Sequence, residues 1–294
     1  MARIAHLSDL HFGAHDPAVV AGAEAWLAEK RPDLVAVSGD FTQRARSDEY
    51  REAAAFLDRI EALGLATLGV PGNHDVPLYD VVRRFTRPLD RYRRFIDDDL
   101  CPWFESETLA VLGINTARSL TFKDGRISHA QMALIRERFR AVPKDRTRIL
   151  VTHHPLFAMP IGEADAPSEA VGRHAEALQA IADAGVHILL AGHFHRSFTE
   201  SARRMVKNAG PALVIQAGTA TSTRLRHGES QSFNLIHAER NDRIEVQVVA
   251  WDGAAFREGS RAAFAFDGEN WQSLSPSPSG EGFGVGAVRD EAAV

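Results

Sequence analysis

The chain has 294 residues with an ordinary globular composition, 45% hydrophobic and 25% charged, so one large α/β domain with a sizeable core is possible. Its formal net charge of −5 argues against a general nucleic-acid-binding protein, because such proteins neutralise phosphates with an excess of Lys and Arg. The single cysteine, Cys101, excludes an internal disulfide. No stretch is long and apolar enough to span a bilayer, and the first residues lack the pattern of an export signal, so we expect a cytoplasmic protein.

Strands alternate with helices along the first two thirds of the chain. The hydrophobic pattern predicts, in chain order, strand 3–8, helix 17–30, strand 33–38, helix 47–63, strand 66–70, strand 109–115, helix 128–140, strand 148–152, helix 175–184 and strand 187–191. The strand segments are apolar runs without polar alternation, which is typical of strands covered on both faces. The alternation predicts βαβ units in a layered α/β fold.

Three segments depart from this alternation. Residues 76–102 are rich in Arg, Asp and aromatic side chains, and we expect a helical excursion away from the sheet. After residue 193 the pattern becomes β-rich, with strands predicted over 212–217, 232–237 and 244–251. The last segment, 273–294, is rich in Ser, Pro and Gly and cannot bury enough apolar surface to offset chain entropy, so a disordered tail is expected. The folded domain is therefore predicted to cover residues 1–272.

Side chains that can bind metal ions follow the predicted strands. They lie just past the carboxyl ends of five strands and are Asp9, His11, Asp40, Asn73, His74, His153, His193 and His195. In an open α/β sheet this edge is where ligands bind, so residues distant in sequence are expected to converge there. The oxygen and nitrogen ligands suit Mn²⁺, Fe²⁺ and Zn²⁺ alike. There are enough ligands for two ions that share one carboxylate.

Five short motifs carry a resemblance to a known family. They occur in order, each after an apolar run: SDLH at 8–11, GD at 39–40, GNHD at 72–75, THHP at 152–155 and GHFH at 192–195. Together they resemble the motif set of the calcineurin-like metallophosphoesterase superfamily, and the compact chain is similar to its class III cyclic nucleotide and glycerophosphodiester phosphodiesterases. The resemblance covers residues 3–196. It implies an α/β fold, a four-layer α/β/β/α sandwich with two mixed β-sheets.

The resemblance also implies a role for each residue of the motifs. Two divalent ions (Mn²⁺, Fe²⁺ or Fe³⁺, or Zn²⁺) would have four ligands each. The first set is Asp9, His11, Asp40 and His195. The second set is Asp40, Asn73, His153 and His193, with Asp40 bridging the ions. His74 resembles the family histidine that protonates the leaving group, and Asp75 would orient its imidazole.

Plainer interpretations of the same residues remain open from sequence alone. Asp9 and Asp40 could cap helices, and residues 72–74 could form an ordinary turn, but the five motifs together favour metal binding. His153 is preferred to His154 as the ligand because it directly ends the strand. The arginines between 83 and 94 are expected to form a solvated helix face. Further candidates beside the cleft are His15, Asn115, Arg224 and Arg226.

The expected activity is hydrolysis of a phosphodiester of a small substrate, a cyclic nucleotide or a glycerophosphodiester, by in-line attack of a water or hydroxide held between the metals. A phosphomonoesterase, or a pyrophosphatase acting on a nucleotide-linked sugar or lipid, is the alternative within the same fold. A catalytically silent metal-binding scaffold is a third option, which His74 disfavours because a scaffold needs no proton donor. The expected partners are the small phosphate ester and no stable nucleic acid, and the resemblance also allows a homodimer.

Overall fold

A computed structural model describes residues 1–120, 124–157, 172–206, 209–226, 228–239 and 242–274. Within these ranges the chain forms thirteen strands and seven helices. In chain order they are β1 (Ala2–Leu7), α1 (Pro17–Lys30), β2 (Leu34–Val37), α2 (Ser47–Ala62), β3 (Thr67–Gly69), α3 (Val81–Thr86), α4 (Asp90–Phe95), β4 (Trp103–Glu105), β5 (Leu109–Gly113), α5 (His129–Arg140), β6 (Thr147–Val151), α6 (His174–Asp183), β7 (Ile188–Ala191), β8 (Phe198–Ser201), α7 (Ala202–Met205), β9 (Leu213–Gln216), β10 (Ser232–Glu239), β11 (Arg243–Trp251), β12 (Phe256–Phe266) and β13 (Trp271–Ser273).

The strands form two mixed sheets. The seven-stranded sheet has the order β13-β12-β11-β10-β1-β2-β3, in which β1, β2 and β3 are parallel and the other pairs are antiparallel. The six-stranded sheet has the order β4-β5-β6-β7-β9-β8, with β5, β6, β7 and β9 parallel and an antiparallel strand at each edge. Parallel neighbours need crossover connections, which α1, α2, α5 and α6 provide.

Three apolar clusters define four layers. Between the sheets, Ile4 of the first packs in one cluster with Ile149 and Ile188 of the second. The outer face of the first sheet packs on α1 and α2, and that of the second on α5 and α6. Neighbouring residues of β1 point to opposite sides, so Ile4 enters the inter-sheet cluster while Ala5 enters the helix-facing one. The predicted α/β/β/α sandwich is confirmed, and it explains why the strand segments show no polar alternation.

Local signals fix where two of the covering helices begin. Asp16 caps α1 by accepting a hydrogen bond from the Ala18 backbone N–H at 2.8 Å, and Pro17 occupies the first helical position. Ser128 and Gln131 form a capping box at the start of α5, in which each side chain accepts from the other residue's backbone N–H. Both helices therefore begin within one residue of the predicted positions.

The structure corrects the sequence-based expectation in three places. Strands β4, β8, β12 and β13 were not predicted; β12 has a polar, Gly-containing middle and pairs with β11 around a register shift between Gln247 and Val249. Ser273, assigned to the tail, ends β13, and the remainder of the predicted tail, 275–294, lies outside the described residues. The helical excursion is present as α3 and α4, but Arg84 is buried and donates to the carbonyls of Pro77 and Ser119, so the expected solvated arginine face is wrong for Arg84.

None of the helices in the described ranges has the length and apolar character of a transmembrane span.

Candidate metal centre

The loops that follow five strands bring the predicted ligands together. Within the described residues, side chains from the loops after β1, β2, β3, β6 and β7 form four overlapping groups, in each of which one ligand atom per residue lies within 4.8 Å of the others. The groups are Asp9, His11 and His195; His11, Asp40 and His74; Asp9, Asp40 and His153; and His153, His154 and His193. Asn73, from the loop after β3, contacts the last group through its side-chain oxygen.

One set of atoms surrounds the Asp9 carboxylate. His195 Nε2 lies 3.1 Å and His11 Nε2 3.6 Å from Asp9 Oδ1, and the two imidazole nitrogens are 3.3 Å apart. Ligands that each lie about 2.0–2.2 Å from one ion are roughly 3 Å from each other. These spacings therefore suit a shared cation.

A second set of atoms surrounds the Asn73 amide. Asn73 Oδ1 lies 3.0 Å from both His153 Nε2 and His193 Nδ1, which are 3.3 Å from each other. The spacing is again that of neighbouring ligands around one ion. The two sets have the same composition of oxygen and nitrogen donors.

Asp40 stands between the two sets. Its Oδ2 atom lies 3.8 Å from His11 Nε2 and 3.4 Å from His153 Nε2. Its other oxygen, Oδ1, accepts a hydrogen bond from the His74 backbone N–H at 2.8 Å. One carboxylate oxygen therefore faces both sets while the other fixes the side chain's orientation.

Hydrogen bonds behind the ligands fix their orientation. His153 Nδ1 lies 2.8 Å from the Ser38 carbonyl, which can only accept, so Nδ1 carries the proton and Nε2 presents its lone pair to the site. Asp9 Oδ2 accepts from the Ser8 hydroxyl at 2.5 Å and from the His193 backbone N–H at 3.0 Å. Each of these ligands can therefore direct one particular atom into the site.

Five predicted ligands have a left-handed backbone conformation that side chains rarely adopt. Their φ angles are 52° at Asp9, 50° at His11, 54° at Asp40, 80° at His193 and 57° at His195. Such conformations cost on the order of 1–3 kcal/mol each and persist where the surrounding structure enforces them, which is typical of functional sites. The preceding Gly39 also has φ of 96°, and a Cβ there would lie 2.6 Å from His153 Nδ1, so the second loop has no room for a larger residue.

The charges of the site also fit a bound cation. Burial by itself would raise the pKa of Asp9, but the neighbouring His195 and His11 hold it well below its usual range. Burial would lower the pKa of His153, yet the charge of Asp40 raises it to about 9, so a bound cation would displace the proton from Nε2 and take its lone pair. Among the described residues, buried Asp9 Oδ1 accepts no well-formed hydrogen bond and has the two imidazole nitrogens as its close neighbours, so a shared cation would satisfy all three atoms. The donor set therefore matches divalent metal ions.

His74 and Asp75 have different partners from those expected. His74 Nδ1 lies 2.8 Å from the Gln43 carbonyl, which accepts its proton, and the ring packs edge-on against His11. The Asp75 carboxylate accepts instead from the backbone N–H groups of Gly72, Phe41 and Thr42. The expectation that Asp75 orients the imidazole directly is wrong. Asp75 joins the loops after β2 and β3, and Gln43 orients His74; the sequence carries no signal for a backbone acceptor of this kind.

A cavity of about 750 Å³ opens beside the site and contains Asn73 and His74 in its wall. Its other lining residues are Gly13, Ala14, Gln43, Arg44, Arg46, Glu49, Val76, Leu78, Tyr79, Arg84 and Arg224. Of the further candidates, only Arg224 borders it. Asn115 lines a separate cavity of about 400 Å³, and His15 packs on Phe12. His154 contacts the Thr116 hydroxyl at 2.8 Å and packs against the His193 ring.

Metal-competent residues at the strand ends of a four-layer sandwich are the arrangement that the sequence motifs predict. The family pattern described as calcineurin-like phosphoesterase matches residues 2–197. The chain therefore belongs to the calcineurin-like phosphoesterase family, whose members bind divalent metals through His and Asp clusters compatible with the one found here.

Two curated relatives are similar to the chain at low identity. A probable glycerophosphodiester phosphodiesterase of Arcobacter nitrofigilis is 26% identical over 171 residues, which cover 58% of this chain and 59% of that protein. A probable cyclic nucleotide phosphodiesterase of a Synechococcus species is 24% identical over 223 residues, covering 72% of this chain and 81% of the relative. The match thus spans less than two thirds of the first relative's length.

Solved structures share the fold. The purple acid phosphatase PPD1 from yellow lupin superposes with a TM-score of 0.65 at 11% identity, covering 88% of this chain and 53% of that chain. A dimetal phosphatase from Danio rerio superposes with a TM-score of 0.60 at 14% identity, covering 85% and 96% respectively. At these identities the likeness establishes the architecture and nothing about the substrate.

Proposed function

We propose that this protein is a dinuclear-metal phosphodiesterase that acts on a small substrate. The observation that carries the proposal is the position of Asp40 Oδ2, which lies 3.8 Å from His11 Nε2 and 3.4 Å from His153 Nε2. This position supports one carboxylate serving two ligand sets. The first set is Asp9, His11, Asp40 and His195. The second is Asp40, Asn73, His153 and His193. The names of the two curated relatives support a diester as the substrate.

The mixed oxygen and nitrogen ligands fit Mn²⁺, Fe²⁺, Fe³⁺ or Zn²⁺. When bound, two such ions polarise a phosphoryl oxygen, lower the pKa of a water and orient the attacking and leaving oxygens in line. The protein's own contribution is the fixed geometry of the donors, which the left-handed loop residues and the Ser38 carbonyl maintain. Because the donors are already oriented, little reorganisation is needed during the reaction.

His74 is suited to deliver a proton to the leaving oxygen. Its Nδ1–H donates to the Gln43 carbonyl, so the transferable proton is the one on Nε2. A ring nitrogen of His74 lies within 4.8 Å of ligand atoms of His11 and Asp40, and Asp40 accepts from the His74 backbone N–H, which supports a role for His74 beside the shared carboxylate. A positioned general acid contributes about 10²–10⁴-fold to such reactions.

The walls of the cavity suit an anionic substrate. Three arginines of the lining, Arg44, Arg46 and Arg224, are exposed to solvent. The acidic Glu49 is buried, and its carboxylate accepts from the backbone N–H groups of Arg44 and Arg46, so it presents little charge to the cavity. An excess of positive charge in a cleft raises the local concentration of anions and their rate of association.

The test is an assay of purified protein, stripped with a chelator and then supplied with manganese, on bis(p-nitrophenyl) phosphate, p-nitrophenyl phosphate, cyclic nucleotides and a nucleoside diphosphate ester. We expect metal-dependent turnover that is faster on the diesters than on the monoester. Faster turnover of the monoester or of the pyrophosphate bond would favour the alternative hydrolases of this fold. Full metal occupancy without turnover of any substrate would favour a silent metal-binding scaffold.

A further inference from the structure

Helix α3 buries an arginine and exposes its apolar side chains. Arg84 is 3% exposed and points inward, where its guanidinium donates to the carbonyls of Pro77 and Ser119. Val81, Val82 and Phe85 are 59%, 75% and 56% exposed. These three residues are spaced one, three and four apart, so they share one face of the helix. A surface helix normally buries its apolar face, and the reversed pattern indicates that the outward face has a ligand or partner.

The exposed apolar residues of the chain concentrate at this helix. Ten large hydrophobic side chains are exposed in the described ranges, and five of them lie within residues 78–85. They are Leu78, Tyr79, Val81, Val82 and Phe85, which together we call the apolar rim. Scattered exposed hydrophobics are normal, whereas half of them within eight consecutive residues is a local feature that requires an explanation.

The apolar rim is continuous with the catalytic cavity. Leu78 and Tyr79 belong both to the rim and to the cavity lining that contains Asn73 and His74. An apolar surface therefore begins inside the cleft and continues outward along α3. A docking site for an unrelated protein would not need to enter the cavity, whereas a substrate whose phosphate occupies the metal site must leave through it.

The charges beside the apolar rim suit a substrate that carries a phosphate group. The Arg44 guanidinium lies 5.6 Å from the centre of the Tyr79 ring, at the point where the rim meets the cationic wall. On the rim itself, Asp80 caps α3, and Arg83 pairs with both Asp80 and Asp90, so its positive charge is compensated locally. A cationic and an apolar surface thus adjoin beside the candidate metal centre, and the apolar one continues outward along α3, which suits an anionic head group joined to a hydrocarbon chain.

From this arrangement we infer that the substrate is an amphiphilic phosphodiester, and that the apolar rim binds its hydrocarbon chain. The inference rests on the proposed phosphodiesterase function and narrows its substrate class. Each methylene that the rim removes from water should strengthen binding by at most about fourfold. Because the rim is open on one side, burial of a chain is partial, and we expect about tenfold or more between a methyl and an octyl group.

The test uses alkyl 4-nitrophenyl phosphates with methyl, butyl and octyl groups, each below its aggregation concentration. The leaving group is the same throughout, so kcat/KM differs only through the alkyl chain. The test variant is Val82→Gln combined with Phe85→Gln, because Gln is a better helix former than either residue and should preserve α3. Val206→Gln is the matched control, since Val206 is exposed and lies outside the rim. Binding of the corresponding n-alkyl phosphates, measured calorimetrically on the same proteins, gives a readout that does not need turnover.

In the wild-type protein and the Val206→Gln variant, kcat/KM and the affinity for alkyl phosphates should rise with chain length. In the double variant, the ratio of kcat/KM for the octyl substrate to that for the methyl substrate should fall to within about twofold. The inference would be overturned if kcat/KM of the wild-type protein did not change with chain length, or if its dependence on chain length were the same in the double variant. If light scattering shows an oligomer for the wild-type protein and a monomer for the double variant, while the dependence on chain length is unchanged, the rim is a contact between two copies of the chain instead. Failure of the proposed function is distinct: no diester is hydrolysed, while alkyl phosphates still bind more tightly with chain length.

Discussion

The candidate metal centre and the apolar rim differ sharply in burial. Asp9, Asp40 and His153, which we call the floor of the cleft, are at most 1% exposed. Tyr79 and Val82 of the apolar rim are 72% and 75% exposed. The floor residues follow strands of two different sheets and are held by backbone groups such as the Ser38 carbonyl. The apolar rim consists of Leu78 and Tyr79 together with the exposed face of the six-residue helix α3, which is anchored through Arg84. Under the proposed function, the buried and fixed atoms carry the chemistry, and the short surface element selects the substrate.

Substitution at the centre of the floor should have the largest effect. In Asp40→Ala we expect turnover to fall to background and the content of both metals to drop, because the carboxylate faces both ligand sets. Asn73→Ala removes a ligand of one set and should retain more metal. Elemental analysis and kinetics of the two purified variants provide the comparison. Asp40→Asn is the matched control, because its side-chain oxygen still accepts from the His74 backbone N–H. Equal metal loss in Asp40→Ala and Asn73→Ala would contradict a bridging role.

A substitution at His74 can distinguish proton donation from metal binding within the same site. In His74→Ala both metals should remain, while turnover of an alkyl diester with a poor leaving group falls by about 10²–10⁴-fold. With p-nitrophenolate the oxygen departs without much help, so the loss should be smaller. Steady-state kinetics on both diesters, together with a metal assay, measure the contrast. If both substrates lose activity equally, His74 positions phosphate rather than donating a proton.

His187 precedes β7 at its amino end, whereas the candidate ligand His193 follows β7 at its carboxyl end. A substitution at His187 can therefore test stability without changing the candidate metal centre. Burial and the charge of Arg148 lower the pKa of His187 to about 4, and its Nδ1 accepts from the Arg148 backbone N–H at 2.9 Å. As pH falls from about 6.5 to 4, the unfolded chain takes up a proton that the folded protein does not, so the free energy of unfolding decreases and then levels off. This contribution is at most about 3 kcal/mol.

The variant His187→Asn keeps an acceptor but cannot titrate, so its unfolding free energy should decline less over this range. Urea unfolding of both proteins with a chelator, at several pH values from 4 to 7, measures the difference without a contribution from bound metal. Parallel pH profiles for the two proteins would show that His187 does not contribute. Metal content at neutral pH should be the same in both.

Gln43 should give the smallest effect. Its side-chain Nε2 lies 3.3 Å from His74 Nδ1, but the acceptor that fixes the imidazole is its backbone carbonyl, which survives in Gln43→Ala. We therefore expect less than about a tenfold loss of turnover on the alkyl diester, within the scale of a single neutral hydrogen bond. The same pair of diesters used for His74→Ala measures it. A loss as large as that of His74→Ala would mean that the Gln43 side chain itself takes part in the reaction.

Part of the convergence of the ligands could be predicted from topology. Asp9 and Asp40 follow neighbouring parallel strands, whose carboxyl ends lie at one edge of a sheet. His153 follows a strand of the other sheet, so its meeting with them depends on how the two sheets pack face to face. The contacts of Asp75 and His74 could not be predicted, because they involve the backbone amides and the carbonyl of a loop whose course depends on the packing around it. Strand β12 was missed for a similar reason, since its polar middle forms a strand only because β11 offers it a partner.

By itself, the sequence determined the four-layer sandwich, the positions of most helices and strands, and the residues gathered at the candidate metal centre. The elements and the layered α/β fold follow from hydrophobic periodicity, which is a local property of the chain, whereas the four layers and the ligand sets follow from the family resemblance that the five motifs carry. Only the tertiary structure decided that Asp40 directs a single oxygen to both ligand sets, that Gln43 holds His74, and that α3 turns its apolar face outward beside the cavity. Such features depend on contacts between residues far apart in the chain, and a pattern of residue types carries no information about which atom of a side chain meets which neighbour.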